Sequence, residues 1–356
     1  KDEALKLKKI YDVKKSRLFF SGGFEYLISF RKYFLSAMCR VTEHYGTIPV
    51  KVGISSGFHD WHRLATSLLS ISPQGFASDV ENFDSSVPSL FIKHCCTAWN
   101  IIYSRCDSGL GDIERDNKIR STLHRSIEGA YVIGQKSLYK LNQAQVSGNP
   151  ATAVENSFVM WALYYLIWKR LAKLHAPELA NWQSFCDNVG LAIYGDDNLC
   201  TVNEDCPWFN FNTFKSEAKN FGFTITDALK QGGDVPDFQP LMEMEFLKRG
   251  FRKEQGYYMG PLMLASIAKS IMWARDNNYA IKTQHVPSKG GEWPIAATKD
   301  VISTTIHAMW PELALHGKQQ YEEWVKLILP QCGQLGITCN PPLYQHALSL
   351  MGYNVY

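Results

Sequence analysis

The chain has 356 residues, 46% of them hydrophobic and 20% charged, with a net charge of +3. This is the composition of a folded chain long enough for two or three subdomains, and it excludes a disordered protein. The longest apolar run, Phe158 to Trp168, is too short to cross a bilayer and reads as a buried helix segment.

The chain opens on Lys1, without Met or a signal peptide, and reads as an excised piece of something longer. Residues 1–17, KDEALKLKKIYDVKKSR, hold seven basic and three acidic residues. That segment carries +4, so the remainder of the chain is −1. Positive charge gathered at one end suits a grip on phosphates, although charge alone favours a solvated basic strand. Mixed apolar and polar spacing then predicts helices over 26–43 and 61–71. GFASDV, residues 75–80, reads as a short buried strand, and 88–104 as the helix after it. His94, Cys95 and Cys96 in that helix fit no structural zinc spacing, and the cysteines read as buried free thiols. The nine cysteines are scattered without a CxxC pair, which argues for a reducing compartment and against a disulfide framework.

Residues 151–175 carry a long helical pattern, and 189–194 with 199–202 form two apolar runs around a tight turn, a β-hairpin. A helix is predicted over 208–221, an extended segment over 223–226 and a second hairpin-like pair over 244–258. From about 261 onward the pattern is mostly helical. Strands and helices mix without strict βαβ alternation, so the fold class is α+β.

Four carboxylates stand out. Asp79 and Asp84 sit in SDVENFDSS at the end of the predicted strand, and Asp196 and Asp197 sit at the predicted hairpin turn in YGDD. Adjacent carboxylates repel each other, which is tolerable in water or around bound cations. A strand-end Asp and a hairpin-tip pair converge if the two elements are neighbours in one sheet. Carboxylates without His or Cys select hard cations, Mg²⁺ or Mn²⁺, which most often serve phosphoryl transfer. Either pair alone also fits a solvated turn. Between them lies SGNPATAVENS, residues 147–157, a flexible loop leading into a helix on which Thr152 and Asn156 share a face. Two uncharged hydrogen-bonding side chains there suit recognition of a sugar hydroxyl or a base; they equally suit a capping segment.

In this order, these residues resemble an RNA-dependent RNA polymerase of the picornavirus-like positive-strand RNA viruses, nearest to the dicistrovirus, iflavirus and marnavirus-like groups. KDE…KKSR resembles the basic fingers motif, SDVENFDSS the first palm motif, SGNPATAVENS the second and YGDD the third. GFTITDALK resembles the fourth, FLKRGF the palm–thumb junction, and SIAKSIMWARD with HAMWPELALHGKQQYEEW the thumb. The resemblance implies a right-hand polymerase with an antiparallel-sheet palm of RRM/ferredoxin-like core, partial fingers and a mainly helical thumb. It implies partial fingers at 1–36, palm at 37–121 and 147–258, a fingers insertion at 122–146 and thumb at 259–356.

The same resemblance implies the roles. Asp79 and Asp196 would be the principal ligands of two Mg²⁺ ions (or Mn²⁺), with Asp197 assisting. Asp84 and Asn156 would hydrogen-bond each other and read the ribose 2′-hydroxyl, the one group that separates the two sugars. Ser147 and Gly148 would form the mobile loop, and Thr152 would assist sugar selection. Lys15 and Arg17 would contact the triphosphate, with Lys8 or Lys9 beside them. Lys230 would protonate the departing pyrophosphate, and Lys248 and Arg249 would lie against the primer strand. The implied partners are an RNA template and primer, NTPs, a small protein primer and other viral replication proteins. The implied location is the host cytoplasm, at membrane-associated replication complexes. The sequence departs from the family's pattern at Ala4-Leu5, where an Arg is frequent, at Gly250, and in the absence of the N-terminal fingers with their strap to the thumb. A reverse transcriptase would share the palm chemistry, but an aromatic would be expected at Asp84. A catalytically inactive RNA-binding scaffold would be expected to have lost the carboxylates.

Overall fold

The computed structural model describes residues 22–57, 59–106, 109, 111–133, 136–141, 145, 148–227, 235–272 and 299–354. In chain order its elements begin with α1 (Phe24–Glu43), α2 (Asp60–Leu69), β1 (Gln74–Val80), the short α3 (Phe83–Ser86), α4 (Ser89–Arg105) and α5 (Ile113–Glu128). The small hairpin β2 (Tyr131–Ile133) and β3 (Leu138–Lys140) precedes the long α6 (Thr152–His175). Then come α7 (Trp182–Asn188), β4 (Val189–Tyr194), β5 (Asp197–Val202), α8 (Phe211–Ala218), β6 (Ile225–Asp227) and β7 (Gln239–Pro240). The hairpin β8 (Arg252–Glu254) and β9 (Tyr257–Met259) leads into α9 (Leu264–Met272), α10 (Lys299–Ala314), α11 (Lys318–Leu335) and α12 (Tyr344–Leu350). None of the described helices is long and apolar enough to cross a membrane.

The described residues fall into two compact units, those within 22–54 and 64–247, and those within 55–63 and 248–354. In the first, β1 runs through the middle of an antiparallel sheet. β5 pairs along one side of it, with β4 outside β5, while β6 and β7 pair on the other side. Gly75 lets β1 and β5 approach closely, because a Cβ there would fall 1.9 Å from the Cys200 carbonyl oxygen. The helix α6 buries Val159, Met160, Leu163, Tyr164, Ile167 and Trp168. The Tyr164 ring stacks on Phe76 of β1 and on Phe214 of α8, at 6.2 and 4.3 Å between centroids. A helix flanked by apolar residues on most sides is buried, which is why its sequence reads as nearly continuous hydrophobicity.

In the second unit the core is built from α10, α11 and α12, around Trp310, Leu313, Tyr321, Leu348 and Tyr353. Trp61 Nε1 donates to the Gly250 carbonyl at 3.0 Å and so ties residues 55–63 to this unit.

Most predicted elements occur within a few residues of their expected places, and Cys95 and Cys96 are buried free thiols. Two differ. The second hairpin lies at 252–259 rather than across 244–258, because its turn is set by Gln255 and Gly256, both at positive φ (45° and 85°), as a type I′ turn requires. Residues 247 and 248 also have positive φ and interrupt any strand there. The helix α5, the hairpin of β2 and β3 and the short α7 were not anticipated; the composition of α5 is too polar for an apolar stripe to show. Its start is marked by Asp112, whose Oδ1 accepts the Arg115 N–H at 2.9 Å.

Candidate active site

Antiparallel pairing decides which ends of the strands meet. Ser78 stands opposite Asn198, so the register carried one step further brings Asp79, at the end of β1, opposite Asp197, at the start of β5. Side chains alternate along a strand, so Asp79 and Asp197 share one face and Ser78 and Asn198 the other. On that other face Asn198 is fully buried. Its Oδ1 accepts from Ser78 Oγ at 2.7 Å and from the Tyr164 hydroxyl at 2.6 Å, while its Nδ2 donates to the Asp196 carbonyl at 2.8 Å.

The β4–β5 turn holds Gly195 at φ +67°, with Tyr194 paired to Asp197 across it. Positive φ at the first turn position, followed by a residue without it, matches the turn types that suit the strand twist, and Gly adopts it at no steric cost. The Gly195 N–H donates to Ser157 Oγ on α6 at 2.8 Å, and Ser157 in turn donates to the Ala153 carbonyl at 2.7 Å. The turn is therefore pinned from both sides, by Asn198 within the sheet and by Ser157 beneath it.

The electrostatics show that the carboxylates have been brought together. Burial pushes the Asp197 carboxyl up to about 6, and repulsion from Asp196, Asp79 and Glu245 adds to it. The Leu247 N–H, 2.8 Å from Asp197 Oδ2, opposes the rise. Among the described residues no three His, Cys, Asp or Glu side chains stand close enough to hold an ion as they are. Asp79, Asp196 and Asp197 are thus gathered at one end of the sheet without forming a closed cage. The donor set itself fits a hard cation, being carboxylate only, and the repulsion on Asp197 is what a cation would relieve.

Asp84 lies in α3, exposed, and Asn156 in the first turns of α6. No hydrogen bond joins them as expected, and the buried Oδ1 of Asn156 has no partner. Gln145 links their neighbourhoods instead. Its backbone N–H donates to the Asp84 carbonyl, and its Nε2 donates to Glu155 Oε2, both at 2.8 Å. Thr152 serves the helix start, with its hydroxyl donating to the Asn149 carbonyl at 2.7 Å. Gly148 has φ +117°, a conformation that Gly takes readily.

Arg249 has a different task from the one expected. Its guanidinium makes a two-pronged pair with Glu312, at 2.7 Å on each prong, and bonds the Gly260 carbonyl at 2.8 Å. These contacts take up its fork, and of the two basic residues expected on RNA only Lys248 is exposed. Lys8, Lys9, Lys15, Arg17, Ser147 and Lys230 lie outside the described residues.

Sequence reasoning missed Asn198, Ser157, Glu245, Gln145 and Glu155. Asn198 and Glu155 had a signal, a polar residue within an apolar run. The rest act through partners far away in the chain and had none.

The chain matches the model of viral RNA-dependent RNA polymerase over residues 1–329. It is 28% identical over 336 residues to the replicase polyprotein of Acute bee paralysis virus (strain Rothamsted), which covers 92% of this chain and 16% of that polyprotein. It is 30% identical over 337 residues to the genome polyprotein of Rice tungro spherical virus (strain Vt6), covering 92% of this chain and 9% of the polyprotein. Its fold matches the solved structure of the Sicinivirus 3Dpol RNA dependent RNA polymerase with a TM-score of 0.75 at 19% identity, over 99% of this chain and 65% of that one. The chain thus spans a small part of its polyprotein relatives, yet the family model covers nearly all of it. With the YGDD turn facing the end of β1, and the family model matched almost end to end, this chain belongs to the viral RNA-dependent RNA polymerase family.

Proposed function

We propose that the protein carrying this chain copies an RNA template into RNA, extending a primer by nucleotidyl transfer in the genome replication of a positive-strand RNA virus. The observation that carries this reading is the meeting of Asp79, Asp196 and Asp197 at one end of the sheet, with Asp197 pushed up to about 6. In this reading Asp79 and Asp196 hold Mg²⁺ (or Mn²⁺), and Asp197 assists from the same face. Bound there, two such ions would activate the primer 3′-hydroxyl and neutralise the charge of the departing pyrophosphate. The protein's own share is positioning. Asn198 and Ser157 hold the turn in place, so binding the ions asks for adjustment of the carboxylate side chains and not of the backbone that carries them. The Asn156 amide, whose buried Oδ1 is unpartnered, and the Asp84 carboxylate are the groups offered to a ribose 2′-hydroxyl, which donates its one hydrogen to a single acceptor and can accept from the amide N–H₂.

RNA template, primer and NTPs are the substrates in this reading; a small protein primer and other replication proteins are the further partners. The site of action is the host cytoplasm, at membrane-associated replication complexes. Lys15, Arg17 and Lys230 keep the roles that the family resemblance implies, as does Lys248 at the primer.

The test is primer extension on a homopolymeric RNA template by the protein at its natural length, with Mg²⁺. Asp196→Asn and Asp79→Asn are expected to abolish extension while leaving RNA binding nearly intact. Extension at the wild-type rate by either variant refutes the assignment. Incorporation of dNTPs as readily as NTPs would favour a reverse transcriptase. Salt-sensitive RNA binding without any Mg²⁺-dependent incorporation would favour an inactive scaffold.

A further inference from the structure

A carboxylate almost never lies fully buried without a reason, because removing its charge from water is costly unless donors surround it. Glu155 is 1% exposed and has three such donors. Trp99 Nε1 of α4 donates to Oε1 at 2.9 Å, and His124 Nε2 of α5 to the same oxygen at 3.1 Å. Gln145 Nε2 donates to Oε2 at 2.8 Å. Burial pushes the Glu155 carboxyl up, yet the His124, Gln145 and Trp99 donors outweigh it and leave the group below its ordinary value, hence ionised. Both oxygens are thus occupied, and four separate stretches of chain meet on one side chain.

The placement of this cluster is what matters. Glu155 immediately precedes Asn156, whose buried Oδ1 is unpartnered. Gln145, itself 3% exposed, holds Glu155 with its side chain and the Asp84 carbonyl with its backbone N–H. One residue therefore joins the backbone of Asp84 to the turn of α6 that presents Asn156. A core polar cluster needs no such link, since Trp99 and His124 already satisfy one oxygen and any donor would satisfy the other.

We infer that Gln145 and Glu155 are positioning residues for sugar selection, a clamp that sets the spacing between Asp84 and Asn156 to fit a ribose 2′-hydroxyl. The inference rests on the proposed polymerase reading. The 2′-hydroxyl both donates and accepts, so it is recognised only by groups at a fixed separation, and neither Asp84 nor Asn156 fixes the other directly.

The test compares two variants that each remove one donor from the same carboxylate. Gln145→Met keeps the length of the side chain and deletes the link to Glu155. Trp99→Phe deletes a donor on the side away from Asp84. The readout is the ratio of NTP to 2′-dNTP incorporation in single-nucleotide primer extension by the natural-length protein, with thermal midpoints and RNA affinity measured alongside. Gln145→Met is expected to lower the ratio about tenfold, the size of one misdirected hydrogen bond. Trp99→Phe is expected to lower the thermal midpoint and leave the ratio unchanged. If Gln145→Met does not fold, Gln145→Leu serves in its place, since it too leaves Glu155 Oε2 without a donor from position 145. A folded, active Gln145→Met with the wild-type ratio overturns the inference and leaves the polymerase reading standing. Equal shifts of the ratio in both variants also overturn it, as the cluster would then be merely structural. A wild-type protein that incorporates no nucleotide at all overturns the polymerase reading and this inference together.

Discussion

Asn198 is the point at which sheet, helix and turn depend on one side chain, and its removal has a calculable cost. Asn198→Ala deletes three hydrogen bonds, from Ser78 Oγ, from the Tyr164 hydroxyl and to the Asp196 carbonyl. At about 1 kcal/mol net for each, the loss is about 3 kcal/mol, held there because the Ser78 and Tyr164 hydroxyls lie close enough to bond each other. A domain stable by about 5–15 kcal/mol survives this, so the variant should still fold. Urea unfolding followed by tryptophan fluorescence measures the loss as a shift in midpoint at constant slope. Tyr164→Phe supplies the internal check. In the wild type it removes one hydrogen bond and should cost about 1 kcal/mol. In the Asn198→Ala background the bond to Asn198 is already gone, so the change should cost clearly less than in the wild type. A loss below about 1 kcal/mol for Asn198→Ala, or simple additivity of the two changes, would refute the account of the anchor.

The other anchors yield shorter predictions. Ser157→Ala takes the acceptor from the buried Gly195 N–H, so we expect a loss of about 1–2 kcal/mol together with slower nucleotide incorporation; unchanged kinetics would show that the turn does not need α6. Arg249→Lys cannot reproduce the two-pronged contact with Glu312, whose partners are only 14% and 21% exposed, and should lower the thermal midpoint of the second unit with RNA affinity nearly unchanged. A large loss of RNA affinity at an unaltered midpoint would restore Arg249 as an RNA contact. Burial pushes the Lys51 ammonium down to about 8, where its Nζ donates to the Tyr45 and Ile48 carbonyls. Its folded value lies below the ordinary 10.5, so the unfolded chain binds more protons between about 8 and 10.5, and stability from this group rises with pH across that window. Lys51→Met should flatten that rise relative to the wild type, and parallel stability–pH curves for the two proteins would contradict the assignment.

Periodicity and turn chemistry, which are local, made much of this protein legible from its residues. The run of α6, the hairpin of β4 and β5 and the strand β1 all announce themselves within a dozen residues, through spacing and through Gly195. The acidic residues were legible too, because a carboxylate pair inside apolar strands has few inexpensive explanations. The order of motifs, and with it the family, needed no coordinates. What the residues alone left undecided is everything that joins distant positions. The opposition of Asp79 and Asp197 follows from the β1–β5 register, and the pinning of the turn from contacts between 157 and 195 and between 78, 164 and 198. Arg249 read as a basic residue for RNA until Glu312, 63 positions on, claimed its guanidinium. Asn156 and Asp84 read as partners, but the structure put Gln145 between their neighbourhoods. The physical reason is the same in each case: hydrogen bonds and ion pairs are short-ranged and directional, so their partners are chosen by folding and not by proximity in the chain.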